Sequence, residues 1–170
     1  VTNQDVEQIE VVRGPGSALY GPNSANGVLH IITKSPFGSE GTTIGLGGGE
    51  RSLRNVSFRH AASISDKVGV KVSGQYYEGN DWEFVDSVEV ADRGSNPRNY
   101  DLDKLSGEAR VDLRPNDETE IILSAGLTQA KLIEMTGLGA AQADDWRYGF
   151  GQAKVRYRDW FAQAFYNRSD

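Results

Sequence analysis

The sequence of 170 residues contains no cysteine and one methionine. Without cysteine there is no disulfide framework and no thiolate zinc site, and the redox compartment stays open. No run of 18 apolar residues occurs, so no transmembrane helix is predicted. There is no excess of basic residues, since the formal net charge is −6. A nucleic-acid partner, which needs a basic footprint, is therefore not expected. No signal-peptide pattern opens the chain, which starts in what reads as mid-domain and stops at Asn167-Arg168-Ser169-Asp170 without a closing signal. On this reading the sequence is a segment of a longer protein. The mean hydropathy of −0.51 is that of many soluble proteins. Transmembrane β-barrels share it, because their strands alternate lipid-facing apolar residues with lumen-facing polar ones.

What is abundant is glycine, at 20 residues, together with three Trp, seven Tyr and six Phe. Val6 to Val12 reads as a strand broken by Arg13-Gly14-Pro15-Gly16, and Ser17 to Tyr20 as one helical turn ended by Gly21-Pro22. Gly27 to Thr33 reads as a strand apolar on both faces, suited to burial in a small domain and stopped by Ser35-Pro36. After Gly38 the texture becomes period-two alternation. Val68 to Tyr76, Leu105 to Leu113 and Gly149 to Tyr157 are the clearest strands; Thr42 to Gly49, Leu53 to Ile64 and Thr119 to Lys131 follow, and a seventh starts at Trp160. The apolar faces are plain Val, Leu, Ala and Gly. Tyr76, Tyr77, Trp146, Tyr148, Tyr157 and Trp160 stand at strand ends, as in the aromatic girdles of an outer-membrane barrel. Aromatics capping a soluble sandwich fit that feature too. Ser65-Asp66-Lys67, Pro115-Asn116-Asp117 and Arg158-Asp159 read as tight turns, alternating with long connections at Gly79 to Asp103 and Leu132 to Asp145. A barrel with short periplasmic turns and long outer loops has this rhythm. The short connection at Glu50-Arg51 departs from it.

The stretch from Val6 through Ile9-Glu10-Val11-Val12-Arg13-Gly14-Pro15-Gly16-Ser17-Ala18-Leu19-Tyr20-Gly21, followed by Asn26-Gly27-Val28-Leu29-His30-Ile31-Ile32-Thr33-Lys34, resembles the late plug motif of TonB-dependent receptors. The likeness covers about thirty residues; Asn26 stands where the family usually has Gly, and His30 where it often has Asn. The resemblance implies a mainly β fold: residues 1–36 end a small α+β plug domain, and 37–170 form the first seven or so antiparallel strands of a transmembrane barrel. About 22 strands are expected in such a transporter. It further implies a Gram-negative outer-membrane receptor that imports a scarce small-molecule or chelate substrate such as a ferric siderophore, haem, cobalamin or glycan. TonB, working with ExbB and ExbD, would supply the energy, and outer-membrane lipid would surround the barrel. No catalytic residue, cofactor or metal is expected. Arg13, Gly14, Pro15, Tyr20, Gly21 and Gly27 would contact the barrel, with Arg13 pairing with wall glutamates by resemblance. A solvated loop arginine is the alternative. An outer-membrane binding, adhesion or signalling barrel and a soluble all-β domain are the rival readings.

Gly45-Leu46-Gly47-Gly48-Gly49-Glu50-Arg51-Ser52 lacks the Gly-Lys-Ser/Thr ending of a phosphate loop and has no helix after it. His30 and His60 have no carboxylate spacing for a metal, and His30 is expected to pack inside the plug. The loop from Asn80 to Asp103 mixes charge with aromatics, so Trp82, Phe84, Arg93, Arg98 and Tyr100 are candidate ligand contacts. A plain surface loop has the same composition.

Overall fold

The computed structural model describes residues 2–14, 26–84, 90–91, 98–136 and 139–170. A short 3-10 turn, Asn3–Asp5, leads into a ribbon of two antiparallel strands, β1 (Val6–Arg13) and β2 (Gly27–Thr33). Seven further strands form one meander in sequence order: β3 (Gly41–Gly48), β4 (Arg54–Ser65), β5 (Val68–Asn80), β6 (Asp101–Asn116), β7 (Thr119–Thr136), β8 (Gly139–Tyr157) and β9 (Trp160–Ser169). Every neighbouring pair is antiparallel.

Register turns the alternation of each strand into two continuous faces. Val72 pairs with Ala109, Ala109 with Ala125, Ala125 with Gly151 and Gly151 with Tyr166. Val70, Val111, Leu123, Ala153 and Ala164 make the adjoining row. This apolar face is open: Leu46 is 80 % exposed and Leu127 73 %. The opposite face carries Arg59, Lys71, Ser73 and Asp112, all buried. A soluble sheet does the reverse, hiding its apolar side and wetting its charged one. An apolar exterior around a polar interior is the arrangement of a membrane barrel. The outward apolar row on β6 runs from Leu105 to Leu113. Eight residue steps at ~3.3 Å, tilted by ~40°, give a band ~20 Å tall. That is close to the hydrocarbon band of such barrels.

Several expectations need correcting. The stretch from Leu132 to Asp145 is not a loop: β7 and β8 continue through Leu132↔Ala143 to Thr136↔Gly139. Strand pairing beyond a lipid band needs no apolar face, so the alternation that marks the lower strand gives no signal there. The connection expected at Gly79 to Asp103 is slightly shorter, since β5 reaches Asn80 and β6 starts at Asp101. The turn between β6 and β7 is Asp117-Glu118, with Pro115 still inside β6. The ladder shifts between Leu113 and Asn116, where a residue lacking an N–H is tolerated. His30 is not packed away. It faces Glu10 across the ribbon at 3.2 Å with its side chain 47 % exposed. Nor is β2 buried on both sides, for Leu29 and Ile31 are exposed together with Val11 and Ile9 opposite them. The expected girdle divides by parity. Tyr76, Tyr157 and Trp160 lie on the apolar face, whereas Tyr77, Trp146 and Tyr148 share the register rows of the inner residues Asn55, Ala130 and Thr128.

One glycine is fixed by packing rather than by conformation. A Cβ on Gly126 would lie 2.5 Å from Phe150 Cε1 and 3.0 Å from Gly107 O. We expect Gly126→Ala in the full-length protein to lose ~1–3 kcal/mol of stability in denaturant unfolding. Adding Phe150→Ala should recover part of that loss.

Candidate plug–barrel interface

The inner face is where the N-terminal segment sits. Asp5 ends the 3-10 turn, its amide donating to Thr2 O at 2.9 Å, and its carboxylate is fully buried. One oxygen accepts from Arg59 Nε at 2.8 Å and the other from Lys71 Nζ at 2.7 Å. Arg59 on β4 and Lys71 on β5 have side chains 5 % and 1 % exposed. Arg59 also donates to Ser39 O, and Lys71 to Lys34 O at 2.7 Å. The Lys34 amide in turn donates to Asp5 O, and Lys34 Nζ to Gln4 O. A single carboxylate thus ties the segments on both sides of the ribbon to two strands of the wall.

A second buried pair lies one strand over. Arg110 on β6 grips Asp112 with two hydrogen bonds, 2.6 and 2.8 Å, and donates to Thr33 Oγ1 at 3.2 Å. Ser35 Oγ donates to the same carboxylate. Pro36 and Phe37 rest on Gly69, where a Cβ would come 2.9 Å from Pro36 Cγ, and the Arg114 guanidinium stacks 4.2 Å over the Phe37 ring. Glu108 adds a further carboxylate to this wall, with one buried oxygen that lacks a hydrogen-bond partner. Buried ions are costly unless paired. Here Asp5 stands against Arg59 and Lys71, and Asp112 against Arg110. A cavity of about 510 Å³ remains between ribbon and wall, lined by Glu7, His30, Glu108, Arg110, Phe150 and Lys154 among others.

The residues singled out from the sequence are placed as follows. Arg13 lies exposed at the far end of β1 and pairs in register with Gly27. Gly27 has φ 143°, and a Cβ there would meet Val12 O at 2.6 Å, so glycine is required for the strands to close together. Gly14 follows at φ 100°. Pro15, Tyr20, Gly21 and Arg93 lie outside the described residues. In the long connection Phe84 and Tyr100 meet edge to face at 5.9 Å, and the Arg98 guanidinium lies 4.9 Å from the Phe84 ring centre. Asn99 N donates to Gln142 Oε1 on β8, so this segment is tied across β6 to the extended hairpin. Trp82 stands apart, 73 % exposed, with Arg51 4.6 Å from its ring centre. Among the described residues no group of three or more His, Asp or Glu is placed to hold a metal.

Sequence reasoning missed Asp5, Arg59 and Lys71. The available signal was a cation at the inward position of each of two adjacent alternating strands, with one aspartate just ahead of the plug motif.

A family model described as the TonB-dependent receptor plug domain matches residues 1–28. The vitamin B12 transporter BtuB of Vibrio vulnificus is 29 % identical over 113 residues, covering 62 % of this chain and 19 % of that protein. A crystal structure of a mutant ferric enterobactin receptor, PfeA, from Pseudomonas aeruginosa superposes with a TM-score of 0.65 at 18 % identity. That match covers 99 % of this chain and 28 % of the receptor, so this chain spans under a third of the length of either protein. These relatives are a transporter and a receptor, not enzymes. With the plug motif at its start and an inside-out sheet carrying that segment on its polar face, the chain is similar to the TonB-dependent receptors in its plug segment and in its fold.

Proposed function

We propose that the protein containing this chain imports a scarce substrate across the Gram-negative outer membrane, using energy delivered through TonB with ExbB and ExbD. The observation that carries this reading is the sheet's inversion: its apolar face is open, and its charged face holds the plug segment through Asp5, Arg59 and Lys71. A barrel used only for binding or adhesion needs no such plug. On this reading residues 1–36 close the plug, and the remainder begins the barrel. Arg13, Gly14, Pro15, Tyr20, Gly21 and Gly27 mark a plug surface that meets other parts of the wall. Trp82, Phe84, Arg93, Arg98 and Tyr100 of the outer loop are the candidate contacts for substrate. The substrate class includes ferric siderophores, haem, cobalamin and glycans.

The test is uptake by cells carrying the whole receptor, with and without TonB, of labelled cyanocobalamin, haem, ferric chelates and oligosaccharides. Accumulation of one of them only when TonB is present supports import. Accumulation indifferent to TonB would make the protein a passive pore. Surface binding with no accumulation would make it a binding barrel.

A further inference from the structure

The open apolar face has one polar interruption in its body, on β4. His60 stands there on the outward side, with Val56 and Phe58 toward the loop end of the strand and Ala62 and Ile64 toward the tight turn. Its register row continues through Val72, Ala109, Ala125 and Gly151, none of them polar. On its other side His60 pairs in register with Thr42 of β3, and its Nδ1 lies 2.8 Å from Thr42 Oγ1. Both side chains are exposed, and among the described residues neither has another hydrogen-bond partner. An ionisable side chain facing hydrocarbon is expensive to keep and marks a site whose partner has to be found.

The pair does not satisfy itself. If the Thr42 hydroxyl donates to Nδ1, the Nε2–H of His60 remains as a donor and the Thr42 oxygen keeps an accepting lone pair. If Nδ1–H donates to the hydroxyl, the O–H remains as a donor and Nε2 as an acceptor. Either arrangement leaves one donor and one acceptor side by side, and lipid tails supply a partner for neither. Such a pair is complementary to its own copy. A two-fold axis along the membrane normal brings identical residues to the same height, so each copy can donate to the other. Polar side chains join membrane-embedded segments in this way.

We infer that the outward face around Thr42 and His60 is a contact between two copies of the full-length protein within the membrane. The inference rests on the apolar face meeting lipid, and it does not depend on what the protein imports.

The test uses native membranes and a short bis-maleimide. Ile44→Cys, an outward residue beside Thr42, should give a cross-linked species of twice the mass. Leu127→Cys, outward on β7, should not. With Ile44→Cys in place, His60→Leu or Thr42→Val should lower the dimer yield about three- to tenfold. His60→Gln and Thr42→Ser, which keep a donor and an acceptor, should retain most of it, and that separates a lost hydrogen bond from a misfolded barrel. The inference is overturned if labelled Ile44→Cys gives no dimer, or if Leu127→Cys cross-links equally. It is also overturned if His60→Leu and Thr42→Val leave the yield unchanged, as when the strand that closes the barrel beside β3 satisfies the pair, or if the product contains a different protein. TonB-dependent accumulation of a substrate alongside any of these results would leave the import reading standing.

Discussion

Asp5→Asn in the whole receptor is expected to free the plug segment from the wall while leaving the barrel strands in place. The substitution keeps the size of the side chain and removes the anion shared by Arg59 and Lys71. Both cations are almost completely buried, so they would be left unpaired in a site with little water. Breaking a buried ion pair from one side costs ~3–5 kcal/mol. The loss should appear as faster hydrogen exchange in residues 2–13 and 27–37, with β6 to β8 unchanged. A compensating variant checks the cause. Removing all three charges, with Asp5→Leu, Arg59→Leu and Lys71→Met, should recover most of the protection, because matched apolar replacement of a buried ion cluster is often close to neutral. Unchanged exchange in Asp5→Asn would mean that the Arg110–Asp112 pair and the Phe37 contact hold the segment without Asp5.

The second large effect is on the apolar face. Leu123 lies on β7 between Val111 and Ala153 in register, within the outward row. An arginine there would sit within the lipid band, one row from its middle, where it costs up to ~2–4 kcal/mol. Its neighbour Ser124 points to the lumen and lines the cavity, so Ser124→Arg should cost a small fraction of that. Unfolding of the whole receptor in lipid vesicles by guanidinium measures both. Were the apolar face open to water instead of lipid, the order would differ, because an exposed Leu123 would accept a charge with little cost.

The parts of this architecture legible in the sequence are those where one periodicity served one environment. β5, the lower part of β6 and the lower part of β8 alternate because one side of the sheet is apolar and open and the other polar and charged. Leu105 to Leu113 and Gly149 to Tyr157 could therefore be read directly. The plug motif was legible through its resemblance to the family, and within it Gly14 and Gly27 occupy backbone conformations that side chains disfavour. Legibility ended above the membrane band. From Leu132 to Asp145 the strands pair without an alternating apolar face, so their composition resembles a loop. The direction of Trp146 was lost for the same reason, since parity cannot be carried through a segment whose pattern is silent. Asp5 was missed because its partners are 54 and 66 residues away. His30 was placed inside the plug because its neighbours are apolar, but its cross-strand partner is Glu10, and the ion-pairing face of the ribbon is open.

The central claim is that the open apolar face meets lipid and the charged face meets the lumen. The most direct measurement is a nitroxide scan along β7 of the whole receptor in lipid vesicles, one cysteine at a time. This chain, which has no native cysteine, contributes no background label. The account predicts that labels at Ile121, Leu123, Ala125 and Leu127 collide with oxygen dissolved in lipid. Labels at Ile122, Ser124 and Thr128 should instead favour a water-soluble nickel chelate, giving a period of two. Uniform access to the nickel chelate at all seven positions, or the opposite phase, would contradict it.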